Sequence, residues 1–530
     1  MRTKSIISLV LALSLYLNCY TQSAQAKTWK YSKITDSTDK SKIESLALGP
    51  YRSSDPNDLD QFTNLKSLSF SGRYISNSLL ESSSLVNLET IFLRDCDLTS
   101  IPKGLLGLKN LKNLNLMDNP DLVDFSTLNM LPNLEKIWLN SCKLKSLPEE
   151  ISCLPNLKLL SLSSNSIPSL ESIKHLVNIE FLYMDWCGLK VTPKEIKNFK
   201  KLKSLSLRAN MDLSDISVLK NLKNLENLNL SRTSISSIPR KFSSLKNLKT
   251  LWLRGCSKLT EIKGLKNLQH LKTIYADGCK LRSIPKNFNT LINLRYLNLS
   301  DNIYLSDFTG IKGLDSLVEI YIESCNIRKI PEEVASLKSL IRINISSNPI
   351  KDYSGLLKMT NLQKLSLAFS YFSKVPEEVS SLKNLEQLFL NDNKNLVDIS
   401  AVRDLHNLTY IRIDRTGLDS LPESFATLVN LTHAVLNDNL GLKNLEVLGK
   451  LKFLKVIKLS NCNLEKLPNE LKNLDSLIVL NITRNPMLIE FSVLMELDNL
   501  KVLNLYQSEF ITELEVAKLR AKLTNCAIYD

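Results

Sequence analysis

Histidine is scarce in this 530-residue chain, with four in all, and glycine is thin at 14 residues. No HExxH helix, glycine-rich phosphate loop or Ser/His/Asp or Cys/His constellation can be assembled from what is present. With 17 prolines beside those glycines, the chain is neither collagenous nor of low complexity. Long apolar runs are missing too. The stretch from Ile6 to Leu17 is about 12 residues, short of the roughly 20 that span a bilayer, and nothing later approaches that length. The ten cysteines include no CxxC pair, so the usual spacing of a zinc site is absent. What remains is ordinary globular content: 43% hydrophobic, 23% charged, mean hydropathy −0.06. Wholesale disorder is excluded.

The formal net charge is +14. Its lysines are scattered singly, as in Lys109-Asn110-Leu111-Lys112, and no basic run would track a phosphate backbone. A nucleic-acid partner is not expected. Residues 1–26 read as an export signal, with Arg2 and Lys4 before the apolar core. Two processing sites compete. Ala24-Gln25-Ala26 before Lys27 has the small-x-small form that signal peptidase accepts. Leu15-Tyr16-Leu17-Asn18-Cys19 resembles a spirochaete-type lipobox, which would make Cys19 a lipidated first residue. Membrane attachment is expected only through that anchor.

From Ile43 onward one pattern recurs, L-x-x-L-x-L followed by x-x-[NC], with first residues Ile43, Leu65, Leu88 and so on to Leu500. The 21 copies are 23 residues apart, apart from three gaps of 22. In each copy the second and third apolar positions are two apart, so a short strand turns both inward. One copy cannot bury that row; stacked copies can. This is the signature by which the chain is identified as a leucine-rich repeat protein. The resemblance implies an α/β solenoid, or horseshoe, with a parallel sheet on the concave face and short helical turns on the convex face. The expected organisation is a cap over 27–42, the solenoid over 43–510 and a C-terminal cap over 511–530. In that last cap, Glu513–Leu523 reads as a short amphipathic helix and Cys526–Tyr529 as a final strand.

The repeats alternate between two types. One carries a proline, as in Ile101-Pro102, Leu147-Pro148 and Ile284-Pro285, and resembles the repeats of Ras-suppressor and plant disease-resistance proteins. Proline suits the first position of a short helical turn, and carboxylate pairs such as Glu149-Glu150 and Glu332-Glu333 suit its N-terminus. The other type is of the Asn-Pro kind, as at Asn119–Leu122. Seven cysteines (Cys96, Cys142, Cys187, Cys256, Cys279, Cys325 and Cys462) share one slot with the asparagines of other repeats. That slot faces inward, so these thiols are read as buried, reduced and structural, with no metal site. The lack of disulfide-bonded caps points to a bacterial source, and the whole resembles leucine-rich repeat lipoproteins and secreted proteins of spirochaetes.

No catalytic residues and no cofactor are expected, so function falls to the surface. Reading off the strand positions that point away from the core gives an unusual row of rings. They are Phe92, Trp138, Phe181, Tyr183, Trp186, Trp252, Tyr275, Tyr296, Tyr321, Phe369, Phe389 and Tyr410. Exposed aromatics cost solubility when unused and are enriched at interface hot spots. The candidate partner-binding set is Trp138, Phe181, Tyr183, Trp186, Trp252, Tyr275, Tyr296 and Tyr321, together with Glu319 and Glu323. The acids beside those rings, Asp277 and Asp301 included, suit a basic patch on a protein partner. The expectation is a monomeric, non-enzymatic protein-recognition module, exported and surface-anchored or secreted, acting at a host interface as an adhesin does. The alternatives are a polyanion binder, holding glycosaminoglycan or lipopolysaccharide on a basic outer face, and a periplasmic scaffold.

Overall fold

The computed structural model describes residues 29–30, 38–49, 59–72, 80, 83–508 and 511–530. The export signal 1–26, with Cys19, and most of the 27–42 cap lie outside these described residues. Two compact segments make up the chain: Met1–Ile235 with Ser244–Leu248, and Ser236–Ser243 with Lys249–Asp530.

Each L-x-L motif becomes a strand, usually of three residues. In the first segment the strands run from Trp29–Lys30 to Asn227–Asn229, each paired parallel with the next in sequence. The second segment repeats the arrangement from Thr250–Trp252 to Ala527–Tyr529. Register is strict: Leu251 faces Ile274, which faces Leu297, and all three are fully buried. Burial of one such side chain stabilises by about 1.5–3 kcal/mol, and stacking the repeats accumulates that gain. The strand Trp29–Lys30, paired with Ser45–Leu48, precedes the first repeat and lacks the leucine signature.

The inward slot behaves as the sequence suggests. Asn165 donates from Nδ2 to the Leu139 and Leu162 carbonyls at 2.7 and 2.8 Å. Its Oδ1 accepts from the backbone N–H groups of Cys142 and Leu144 at 3.1 and 2.9 Å. One amide thus ties two adjacent repeats together. Cys142 supplies only the donor half, with Sγ 3.2 Å from the Leu116 carbonyl. All seven thiols of this slot are free and buried.

Single helical turns, nearly all 3-10, form the return path. The prolines stand at the N-cap, one place earlier than the first helical position read from sequence. Pro148 has φ −56° and ψ 136°, an extended ψ that delivers the chain into the turn Glu149–Cys153, and its carbonyl accepts the turn's first bond from Ile151. The carboxylates follow as expected in the first turn. Two residues before a repeat proline the chain often makes one extra parallel bridge to the next repeat, as Ser100 does to Asp124 and Lys374 to Asp398. The crossing is tight. A Cβ at Gly264 would lie 2.3 Å from the Pro239 carbonyl oxygen, and one at Gly310 would lie 2.2 Å from that of Pro285. At the end of the chain, helix Glu513–Lys522 begins with a capping box between Thr512 and Glu515.

Candidate recognition surface

Alternation along each strand sends its first and third residues to the solvent face of the sheet. In the first segment that face is locally apolar. Trp138 does not stand free there: it is only 6% exposed, packed on Met117 and Leu159, with Phe181 and Tyr183 against the same cluster. Met117, two residues past the preceding strand, and Leu159 on the following strand together cover the indole. The expectation of a projecting ring therefore fails for Trp138. Its Nε1–H has no hydrogen-bond partner among the described residues.

Trp186 is the opposite case, 47% exposed. It also holds a left-handed backbone, φ 57°. The same turn position is mostly small or Asx, as at Asp118, Ser141, Ser164, Ala209, Gly255, Gly278 and Asp301, though Arg232, Phe369, Arg415 and Arg484 also hold it. Small or Asx residues fit that conformation, whereas a bulky one is strained there. Beside Trp186, Asp185 is buried. Its carboxylate accepts from the Ser206 hydroxyl and, at 2.9 Å, from the Arg208 backbone N–H. Burial outweighs those bonds and pushes its pKa up to about 6.

In the second segment four rings form one continuous row. Trp252 and Tyr275 are directly paired across strands, nearly coplanar, with centroids 6.1 Å apart. Tyr275 meets Tyr296 at 4.8 Å, and Tyr296 meets Tyr321 at 5.3 Å, both tilted. All four are partly exposed. Burial raises the hydroxyl pKa of Tyr275, Tyr296 and Tyr321, so these phenols stay neutral donors. Two of the four acids beside the row are neutralised, while Asp301 is exposed with no ion pair among the described residues. Asp277 is buried and bonded to Arg254 Nε at 2.6 Å. Glu319 takes the Arg342 guanidinium and, at 3.1 Å, the Tyr321 hydroxyl. Glu323 accepts from Asn344 Nδ2 at 3.1 Å. An arginine one repeat away neutralises each of the first two. The row therefore presents ring faces and neutral hydroxyls, with Asp277 and Glu319 neutralised and Asp301 exposed beside them.

A second row follows: Phe389 on Tyr410 at 5.3 Å, and Tyr410 on His433 at 5.9 Å, with Lys364 Nζ 4.8 Å over the Phe389 ring. His433 is one of the chain's four histidines and nothing along its own repeat marks it out. The clue was its position, 23 residues after Tyr410, which places both on one column of the sheet. Burial and the nearby Lys455 and Lys458 hold its pKa below the ordinary value.

Among the described residues no group of three or more His, Cys, Asp or Glu could hold a metal ion, and no helix is long and apolar enough to cross a membrane.

Comparison with known proteins agrees with this architecture. Leucine-rich repeat family profiles match residues 132–189, 223–267 and 453–474. A solved leucine-rich repeat protein of Leptospira interrogans is 26% identical, with a TM-score of 0.56, over 86% of this chain and 99% of that one. The TLR13–ssRNA13 complex is 22% identical, with a TM-score of 0.50, over 84% of this chain and 82% of the receptor chain. No curated protein sequence matches significantly. Repeats, register and these matches fit the leucine-rich repeat solenoid fold. Among solved structures, the Leptospira protein shares this fold over nearly its whole length.

Proposed function

We propose that this is a non-enzymatic protein-recognition module whose ligand lies against the solvent face of the sheet, with proline-containing and Asn-Pro repeats alternating as its scaffold. The observation that carries the reading is the row Trp252, Tyr275, Tyr296 and Tyr321, partly exposed and in mutual contact. Such amphipathic rings lose little conformational entropy on binding and dominate interface hot spots. In the first segment, Phe181, Tyr183 and the exposed Trp186 make up the candidate surface, and Trp138 supports it from below. Export under the signal 1–26, anchorage through lipidated Cys19 and an adhesive role at a host interface belong to the same proposal. The resemblance to spirochaete proteins supports them.

The test is a pull-down from candidate host extracts with the mature chain, repeated with the Trp252→Ala/Tyr275→Ala double variant. A specific partner retained by the first and lost by the second supports the reading. A partner retained equally by both places recognition elsewhere. Intact mass of the exported chain decides the anchor: a start at Lys27 without lipid removes it.

A further inference from the structure

The residue just before each strand forms a column along one rim of the sheet, each backbone N–H bonding to the carbonyl of the column residue one repeat earlier. In the first segment this column alternates in sign: Glu44, Lys66, Glu89, Lys112, Glu135, Lys158, Glu180, Lys203. Neighbours pair: Lys66 with Glu44 at 2.7 Å, Lys112 with Glu89 at 3.5 Å, Lys158 with Glu135 at 3.0 Å and Lys203 with Glu180 at 2.7 Å. This is a self-neutralised rim.

The second segment abandons the pattern. Its column reads Lys249, Lys272, Arg295, Val318, Ile341, Gln363, Glu386, Thr409, Thr432 and Lys455. Lys272 and Arg295 are exposed, and neither forms an ion pair among the described residues. From Val318 to Lys455 the rim opens into a groove of about 1090 Å³, lined also by Lys338 and by Phe453, which is 56% exposed. Six steps of about 4.8 Å make the groove roughly 29 Å long, the reach of about nine extended residues.

We infer that this rim groove of the second segment is a docking site for an extended acidic peptide segment of a partner protein, separate from the aromatic face. Charge complementarity selects the occupant. Lys338 lies at one end of the groove and Lys455 at the other, while Arg295 and Lys272 continue the column one and two repeats beyond Val318. Val318 and Ile341 offer apolar contacts at the Lys338 end, and Phe453 adds another near Lys455. A uniformly charged polyanion is disfavoured, because the middle rungs Gln363, Glu386, Thr409 and Thr432 offer no cation where such a polymer needs one. A peptide with acidic ends and one or two large apolar residues matches every feature.

The probe is a displayed library of linear nine-residue peptides, selected on the full chain and counter-selected on a Lys338→Glu/Lys455→Glu variant. Both positions are exposed, and an unchanged melting midpoint verifies that the variant is folded. Retained peptides should carry net negative charge with large apolar residues. A fluorescein-labelled example should lose at least tenfold in affinity with that variant and with Ile341→Asp, a change the same column tolerates in kind at Gln363 and Glu386. It should bind undiminished to Trp252→Ala/Tyr275→Ala, which separates this site from the aromatic face. Three results would overturn the inference: no peptide distinguishing the two chains, retained peptides of net positive charge, or a heparin fragment that binds the same groove more tightly than the peptides do.

Discussion

Trp186 sits where the chain turns left-handed, a conformation that costs a bulky L-residue roughly 1–2 kcal/mol. A strained, exposed ring persists when something other than folding requires it. Trp186→Asn should therefore leave the fold as stable as before or more stable by up to about 1 kcal/mol, while weakening partner binding. Chemical denaturation and affinity measured on one preparation check the pair, and a clear loss of stability would make the ring structural. Asp185 gives a pH signature. Its native pKa of about 6 lies above the ordinary 3.8, so between those values the native state holds a proton that the unfolded chain releases. Stability from this group thus falls as pH rises from about 4 to 6, by about 2–3 kcal/mol, and is flat above. Asp185→Asn should lack that slope, so the stability difference between wild type and variant should carry it. The slot cysteines should be silent. Burial raises Cys142, Cys187 and Cys462 to about 11 and Cys325 to about 12, so at pH 8 hardly any thiolate is present. Native labelling should reach the exposed Cys153 first and the seven slot thiols only after denaturant.

Among elements, the strands were the most legible, because an apolar pair two residues apart, repeated in phase, leaves one inward register open to each copy. The strand Trp29–Lys30 carried no such signature and emerged only from its pairing with Ser45–Leu48. The side chains on the solvent face were harder to read. Period-2 alternation sends Trp138 outward, but whether it is exposed depends on Met117 and Leu159 in the flanking repeats. The same holds for charge: Asp277 and Glu319 were visible as acids, while Arg254 and Arg342 that neutralise them stand 23 residues away, on neighbouring strands. Comparing columns across repeats, instead of reading along each one, would have found both, and His433 as well. The contrast is measurable. Trp138→Ala empties a packed cluster and should cost about 3–5 kcal/mol, whereas Trp252→Ala removes a partly exposed ring and should cost about 1 kcal/mol or less. Equal costs would mean that the two rings are equally buried.

At the scale of the whole molecule, the repeat is a scaffold that supplies area without chemistry. Asparagine and thiol ladders, leucine rows and proline-capped turns occupy the inside, and only the solvent face and rim vary freely from copy to copy. Variation there is not random, since large rings gather on the sheet face of each segment and the sign-alternating rim of the first gives way to a basic and apolar groove in the second. A +14 chain whose face charges are largely paired should bind a protein partner with moderate salt sensitivity, unlike a polyanion binder. The central claim is that the ring row of the second segment anchors a protein partner. It is tested most directly by the dissociation constant of a captured partner for wild type and for Tyr275→Ala, with thermal unfolding recorded alongside. The account predicts a loss of about thirtyfold, equivalent to about 2 kcal/mol, with the melting midpoint nearly unchanged. An unchanged dissociation constant for a folded Tyr275→Ala chain would contradict it.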